Sequence, residues 1–294
     1  MNCNALLAIT LSFLFAQAPL QQDLPRVLGE AVKHRKLYVE SFKDLAATET
    51  KTTEIIDKNG KVEKQRVVVS DFLVYQSRLR TNYVDEYRIT RSVDGKAESN
   101  GEKQATELFE KLAKAKTLEQ EGKRLRDENM KHTLGYYRWG VTLQPAPQLQ
   151  ITNLYDYELG GRERLNGRDV IILKYTRKNQ IANEFRGLDR NFKDPKTRNR
   201  GRLWLDAETF QIWRWENEST IVDRDILTEL VLTRDEIEYE ASAFGVNVPV
   251  RIVTSYFDKS GAPKGTVRPS GRITFSYGKF KRFGVTMEYK LVTP

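Results

Sequence analysis

The chain of 294 residues holds one cysteine, Cys3, two histidines, His34 and His132, and no charged side chain before Asp23. A lone cysteine builds no disulfide framework within a chain and, at position 3, no thiol nucleophile in the body of the protein. Neither histidine sits in a metal spacing such as H-E-x-x-H, so both read as partly exposed helical residues, and no metal is expected. Also missing are a Gly-x-Ser-x-Gly elbow, a P-loop and a dinucleotide fingerprint, so no cofactor is expected either. After the first 22 residues no apolar run approaches the roughly 20 residues that cross a bilayer. Carboxylates are the remaining source of catalysis. Asp223 and Asp225 flank Arg224, and Glu236, Glu238 and Glu240 recur at every second position. Such sets serve as paired acids in glycoside chemistry, but alternation on a solvated strand face produces the same pattern. The expectation is a protein that is not an enzyme.

What is present begins with an apolar segment from Ala5 to Ala16, too short to span a membrane, followed by Ala16-Gln17-Ala18. This reads as a signal peptide over residues 1–18, cut near 16–18, which predicts a periplasmic or secreted protein. The formal net charge of +9 then lies on the remainder and predicts attraction to anionic surfaces. Export directs that attraction toward anionic lipids, glycolipids or acidic proteins, and nucleic acid is not an expected partner.

Leu24, Leu28, Ala31, Tyr38, Phe42 and Leu45 recur at steps of three and four, broken only by Arg35, which predicts an amphipathic helix with Pro25 in its first turn. The period then changes to two, with strands joined at Asp57-Lys58-Asn59-Gly60, and Asn-Gly is a strong hairpin signal. A weaker strand is predicted over 82–93. Residues 102–132 return to helical spacing with Leu108 and Leu112 on the apolar face and near-balanced charge, a helical insertion. Beyond it strands are expected near 136–143, 148–158, 169–177, 227–240, 248–257, 272–277 and 285–292. Short turns between them favour an antiparallel meander within one domain over 23–294. Val170 to Tyr175, apolar on both faces, is placed centrally.

The stretch "GRLWLDAETFQIWRWENE" reads as a hairpin with a turn at Asp206. If the turn pairs Asp206 with Thr209, Leu205 faces Phe210 and Leu203 faces Ile212, an apolar side directed to the core. The other side then sets Trp204 beside Gln211, Arg202 beside Trp213 and Arg200 beside Trp215, with guanidinium groups over indole rings. Cross-strand shielding of a half-exposed sheet explains that ladder, and so does a platform for an anionic partner. Immediately before it, residues 185–202 hold seven basic and two acidic side chains. Arg186, Arg190, Lys193, Lys196, Arg198, Arg200 and Arg202, with Trp204, Trp213 and Trp215, are the candidate contacts to an anionic membrane surface.

With "VLGEAVKHRKLYVESFKDLAATE", "SDFLVY", "HTLG", "GRERLNGRDVIILKY", the hairpin and "GRITFSYGKFKRFGV", the chain resembles a family of exported bacterial proteins of uncharacterised activity. From about residue 149 onward it is similar to the outer-membrane lipoprotein carrier (LolA/LolB-like) group, where a "GRDVIILKY" strand precedes a "GRLWLDAET" hairpin. The resemblance implies an α+β, mainly β fold: a curved antiparallel half-barrel with the N-terminal helix and the helical insertion on its concave face. It further implies a non-enzymatic lipid- or lipoprotein-binding role, with Leu203, Leu205, Phe210, Ile212, Phe42, Leu108 and Leu112 toward an acyl chain. A structural or interaction module for an envelope protein or acidic glycan is the alternative.

Overall fold

The structure is a computed structural model that describes residues 23–42, 45–76, 84–98, 131–136, 146–178, 197–222 and 229–282, with isolated positions between 103 and 127. Helix α1 spans Leu24–Ser41, with Pro25 in its first turn and Val27, Ala31, Arg35 and Tyr38 buried. Arg35, the polar break in the apolar stripe, is the residue that ties α1 down, because its guanidinium donates to Gln150 at 2.9 Å. Gln150 closes a short 3-10 turn, Pro147–Gln150, and a second follows at Thr152–Leu154. These turns occupy the first half of a stretch expected to be a strand; it becomes extended only at Tyr155.

Among the described residues eleven strands follow: β1 Leu45–Ile56, β2 Val62–Gln76, β3 Val84–Val93, β4 Lys96–Ala97, β5 Tyr155–Leu165, β6 Arg168–Arg177, β7 Thr197–Asp206, β8 Ile212–Val222, β9 Glu229–Ala241, β10 Asn247–Asp258 and β11 Arg268–Arg282. They form one antiparallel sheet in the order β4-β3-β2-β1-β11-β10-β9-β8-β7-β6-β5. The β1–β2 turn is the Asn-Gly hairpin, in which Asp57 Oδ1 accepts from the backbone N–H of Asn59 and of Lys61. Strand β6 is internal but stands next to the β5 edge and not at the centre. Its Val170 and Ile171 are nonetheless both buried, as the run of apolar residues requires.

The order has one break in sequence adjacency. The chain enters at β1, meanders to the β4 edge, and resumes at the opposite edge with β5 before returning to β11 beside β1. Residues 99–145 therefore link the two edges, and both described ends of that link lie on the face that carries α1. Near one end the Tyr136 hydroxyl donates to the Ser270 carbonyl at 2.5 Å, and its ring packs on Tyr256. At the other the Gln148 amide reaches Asn217. Gly271 makes the first contact possible, since a Cβ there would lie 2.3 Å from the Tyr136 ring.

One sheet face wraps around α1. In a flat sheet the nine steps from β3 to β5 would cover about 43 Å, at roughly 4.8 Å each. An 18-residue helix measures about 27 Å. Yet α1 touches β5 and the 3-10 turn, while its Tyr38 lies close enough to Glu86 of β3 and Tyr277 of β11 to feel their charge. The sheet is curved, open at β4 and β5, and concave toward the helix.

Candidate functional site

Cross-strand pairing arranges the concave face in rows. Phe275, Ile252, Ile237, Trp215, Leu203 and Leu173 stand side by side across β11, β10, β9, β8, β7 and β6, an apolar row. With Leu205 and Phe210 these side chains belong to the core that α1 covers. The next row, displaced by two residues, is polar: Thr254, Asp235, Asn217, Gly201 and Tyr175. Its members are joined to one another. Thr254 donates to Asp235 at 2.7 Å, Asn217 to Asp235 at 3.4 Å, and Tyr175 to Asn217 at 3.0 Å. Trp215 Nε1 donates to the Tyr175 hydroxyl at 2.8 Å, so the apolar row ends in a hydrogen bond to the polar one. Burial pushes the Tyr175 hydroxyl well above its ordinary pKa, which keeps it neutral and a donor. A Cβ at Gly201 would fall 2.3 Å from that hydroxyl, so glycine is what lets the ring lie there.

On β1, β2 and β3 the concave face is charged. Arg88 donates to Glu49 at 2.7, 3.0 and 2.8 Å and to Glu86 at 3.1 Å, and its guanidinium lies 5.1 Å from the Phe72 ring centre. Burial opposes the charge on Arg88, but Glu49 and Glu86 overcome it and hold the side chain firmly protonated. Two strand positions on from Glu49, Lys51 is 7% exposed and carries no hydrogen bond or ion pair among the described residues. Its pKa is lowered to about 8, by burial first and by Arg88 second, against the attraction of Glu49. Lys51 opens into a cavity of about 70 Å³ walled by Ser70, Arg88, Thr90, Glu98, Lys131 and His132. Burial also lowers the pKa of His132, assisted by Arg66 and Lys51, so its imidazole is neutral near pH 7.

Val27, Ala31 and Tyr38 of α1 are buried in one core with the apolar row. A void of about 20 Å³ remains, bounded by Ala31, His34, Arg35, Tyr38, Gln211, Ile212, Tyr239, Val246 and Asn247. That holds about one water molecule.

The hairpin register differs from the expected one. Asp206 caps its own loop, accepting from Glu208 and Thr209 N–H groups, and pairs with Gln211, leaving a four-residue turn with Phe210 at φ 56°. Leu205 thus pairs with Ile212, and a bulge at Trp213 shifts the next pairs to Trp204–Arg214 and Leu203–Trp215. The consequence is that the three tryptophans part. Trp215 is in the core. Trp213 donates to Asp206 at 3.0 Å with Arg168 lying 4.2 Å over its ring. Trp204 stays on the convex face between Arg202 and Arg214, at 4.9 and 5.2 Å, and donates to Glu163. Arg200 and Arg202 do not meet the expected indoles of Trp215 and Trp213: Arg200 pairs with Glu218 and Glu229, and Arg202 with Glu216 while lying over Trp204.

Leu203, Leu205, Phe210 and Phe42 are core residues, and Ile212 packs against them. Leu108, Leu112, Arg186, Arg190, Lys193 and Lys196 lie outside the described residues, as do Asp223 and Asp225 and most of the insertion. Arg198 is half-buried at the start of β7. Glu236 and Glu238 face Arg214 and Arg251 on the convex side, so alternation on a solvated face accounts for them. Among the described residues no three His, Cys, Asp or Glu side chains converge as a metal site would need. Lys51, Arg88 and the Tyr175–Asn217–Asp235–Thr254 row were not anticipated. The available signal was polarity at period two in "TETKTT" and in "WENE", where the inward positions hold Glu49, Lys51 and Asn217.

No family model matches the chain, and no curated protein matches it. Among solved structures the fold resembles a LolA superfamily protein of Nitrosomonas europaea, at 12% identity and TM-score 0.38, covering 89% of this chain and 94% of that one. A DUF1329 family protein of Desulfovibrio piger follows at 13% identity and TM-score 0.35, with 90% and 94% covered. Lipoprotein LppX of Mycobacterium tuberculosis is similar at 12% identity and TM-score 0.26, covering 89% and 98%.

Proposed function

We propose that the protein is a non-enzymatic binding protein of the bacterial envelope that takes an amphiphile, the acyl chains of a lipid or lipoprotein, against its concave face. The observation that supports this is the pair of adjacent rows, one apolar across six strands and one polar beside it. A chain lying along the first row and a head directed past the second would each meet matching chemistry. Burial of the chain stabilises by about 0.8 kcal/mol per CH₂ group. The 20 Å³ void sets a condition on this reading: α1 already fills the apolar row, so a chain enters only as α1 lifts away.

The same packed interface favours a second reading, an interaction module that binds an envelope protein or acidic glycan through its outer surface and needs no cavity. Native mass spectrometry of the gently purified full chain separates the two. Bound species with lipid masses, and saturable uptake of a fluorescent fatty acid, support the first; a clean unliganded species with no uptake leaves the second.

A further inference from the structure

The cavity at Lys51 is separate from the apolar row and has a chemistry of its own. Lys51 rises from β1 at its floor, Ser70 and Thr90 bring hydroxyls from β2 and β3, and Lys131 and His132 close it from the segment that Tyr136 anchors. Donors therefore converge from four separate pieces of chain on a space of about 70 Å³. Glu98 is the carboxylate on the lining, at the exposed side. Beneath it Arg88 is fully engaged by Glu49 and Glu86, a set with one net negative charge that the Lys51 ammonium balances from a distance. Lys51 is more than nine-tenths buried, and its ammonium has no hydrogen-bond acceptor among the described residues. An ammonium on the wall of a polar cavity has donors to offer an anion that enters it.

We propose that this cavity binds one phosphoryl group, with Lys51 as the central donor, Ser70 and Thr90 at its sides, and Lys131 and His132 above. A tetrahedral oxyanion presents acceptors in several directions, as these donors require. The group is free phosphate or the head of a phospholipid. The inference stands without acyl-chain binding, since its contacts lie on β1, β2, β3 and residues 131–132.

The test titrates the full chain with inorganic phosphate by calorimetry, and in parallel with dihexanoyl phosphatidic acid below its micelle concentration. The parent is expected to saturate with at least one probe, and Lys51→Met to weaken that binding by about tenfold or more, the effect of losing a charge-assisted donor. Ser70→Ala combined with Thr90→Val leaves the buried charges in place and should weaken binding several-fold, which keeps the test decisive if Lys51→Met misfolds. Binding of both probes in competition assigns the pocket to a lipid head, and phosphate alone assigns it to the free ion. The proposal is overturned if neither probe binds the parent, or if the variants bind as the parent does.

Discussion

Replacing Arg88 by Met should be among the most damaging single changes in the molecule. Glu49 and Glu86 are 1% and 2% exposed, and Arg88 is their shared cation, with three hydrogen bonds to the first and one to the second. Methionine removes the guanidinium that lies over Phe72 and leaves two buried carboxylates without their shared cation, while the Lys51 ammonium still attracts Glu49. Breaking a buried ion pair from one side costs about 3–5 kcal/mol, because the orphaned charge keeps its desolvation penalty. In a chain of this size that lowers the thermal midpoint by roughly 6–20 °C. Replacing all three, Arg88→Met with Glu49→Gln and Glu86→Gln, should recover most of the loss, since neither carboxylate is then stranded and Lys51, already at a lowered pKa, can shed its proton. Urea melts followed by circular dichroism at one pH read both. A loss below about 1 kcal/mol for the single variant, or a triple variant no more stable than the single, would refute the assignment of Arg88 as the neutralising cation.

Gly271→Ala should push Tyr136 off β11, because the added Cβ would sit 2.3 Å from its ring. The lost hydrogen bond and aromatic contact together amount to about 1–3 kcal/mol, and faster hydrogen exchange confined to residues 131–136 is the expected sign. Lys51 makes stability depend on pH with a definite sign. Its folded pKa of about 8 lies below the ordinary 10.5, so the folded chain sheds the proton first and stability rises with pH between those values. The parent should therefore gain on Lys51→Met between about pH 8 and pH 10, and a constant difference in urea midpoint would contradict this. Arg200→Gln with Arg202→Gln should leave binding to anionic vesicles unchanged, as both side chains are paired with glutamates. Reversing Lys193, Lys196 and Arg198 to Glu should weaken that binding, and equal binding by both variants would mean the loop is only a solubilising segment.

Much of the fold was legible because its signals are local. The step of three and four that marks α1, the Asn-Gly turn and the period-two strands from β5 to β11 depend on near neighbours in the chain. The hairpin register was not legible, because it depends on how Asp206 spends its carboxylate. Capping Glu208 and Thr209 lengthens the turn by two residues, and the bulge at Trp213 then inverts the faces of the following residues. The polar half of the concave face was hidden for another reason. Glu49 and Lys51 look like a solvated alternation until β3 supplies Arg88, 39 residues further along, and the 131–136 segment covers them. Arg35 looked like a flaw in an apolar stripe for the same lack of a partner, Gln150, 115 residues away. Pairings of such separation carry no mark in either partner's own neighbourhood.

On the proposed function an acyl chain lies along the apolar row and must displace α1 to reach it. Hydrogen exchange of the full chain, with and without a saturating long-chain fatty acid, tests it most directly. The expected result is a loss of protection over residues 24–41, with protection kept or gained in β7 to β10. Binding with α1 fully protected, or no binding at all, would rule out this mode of binding.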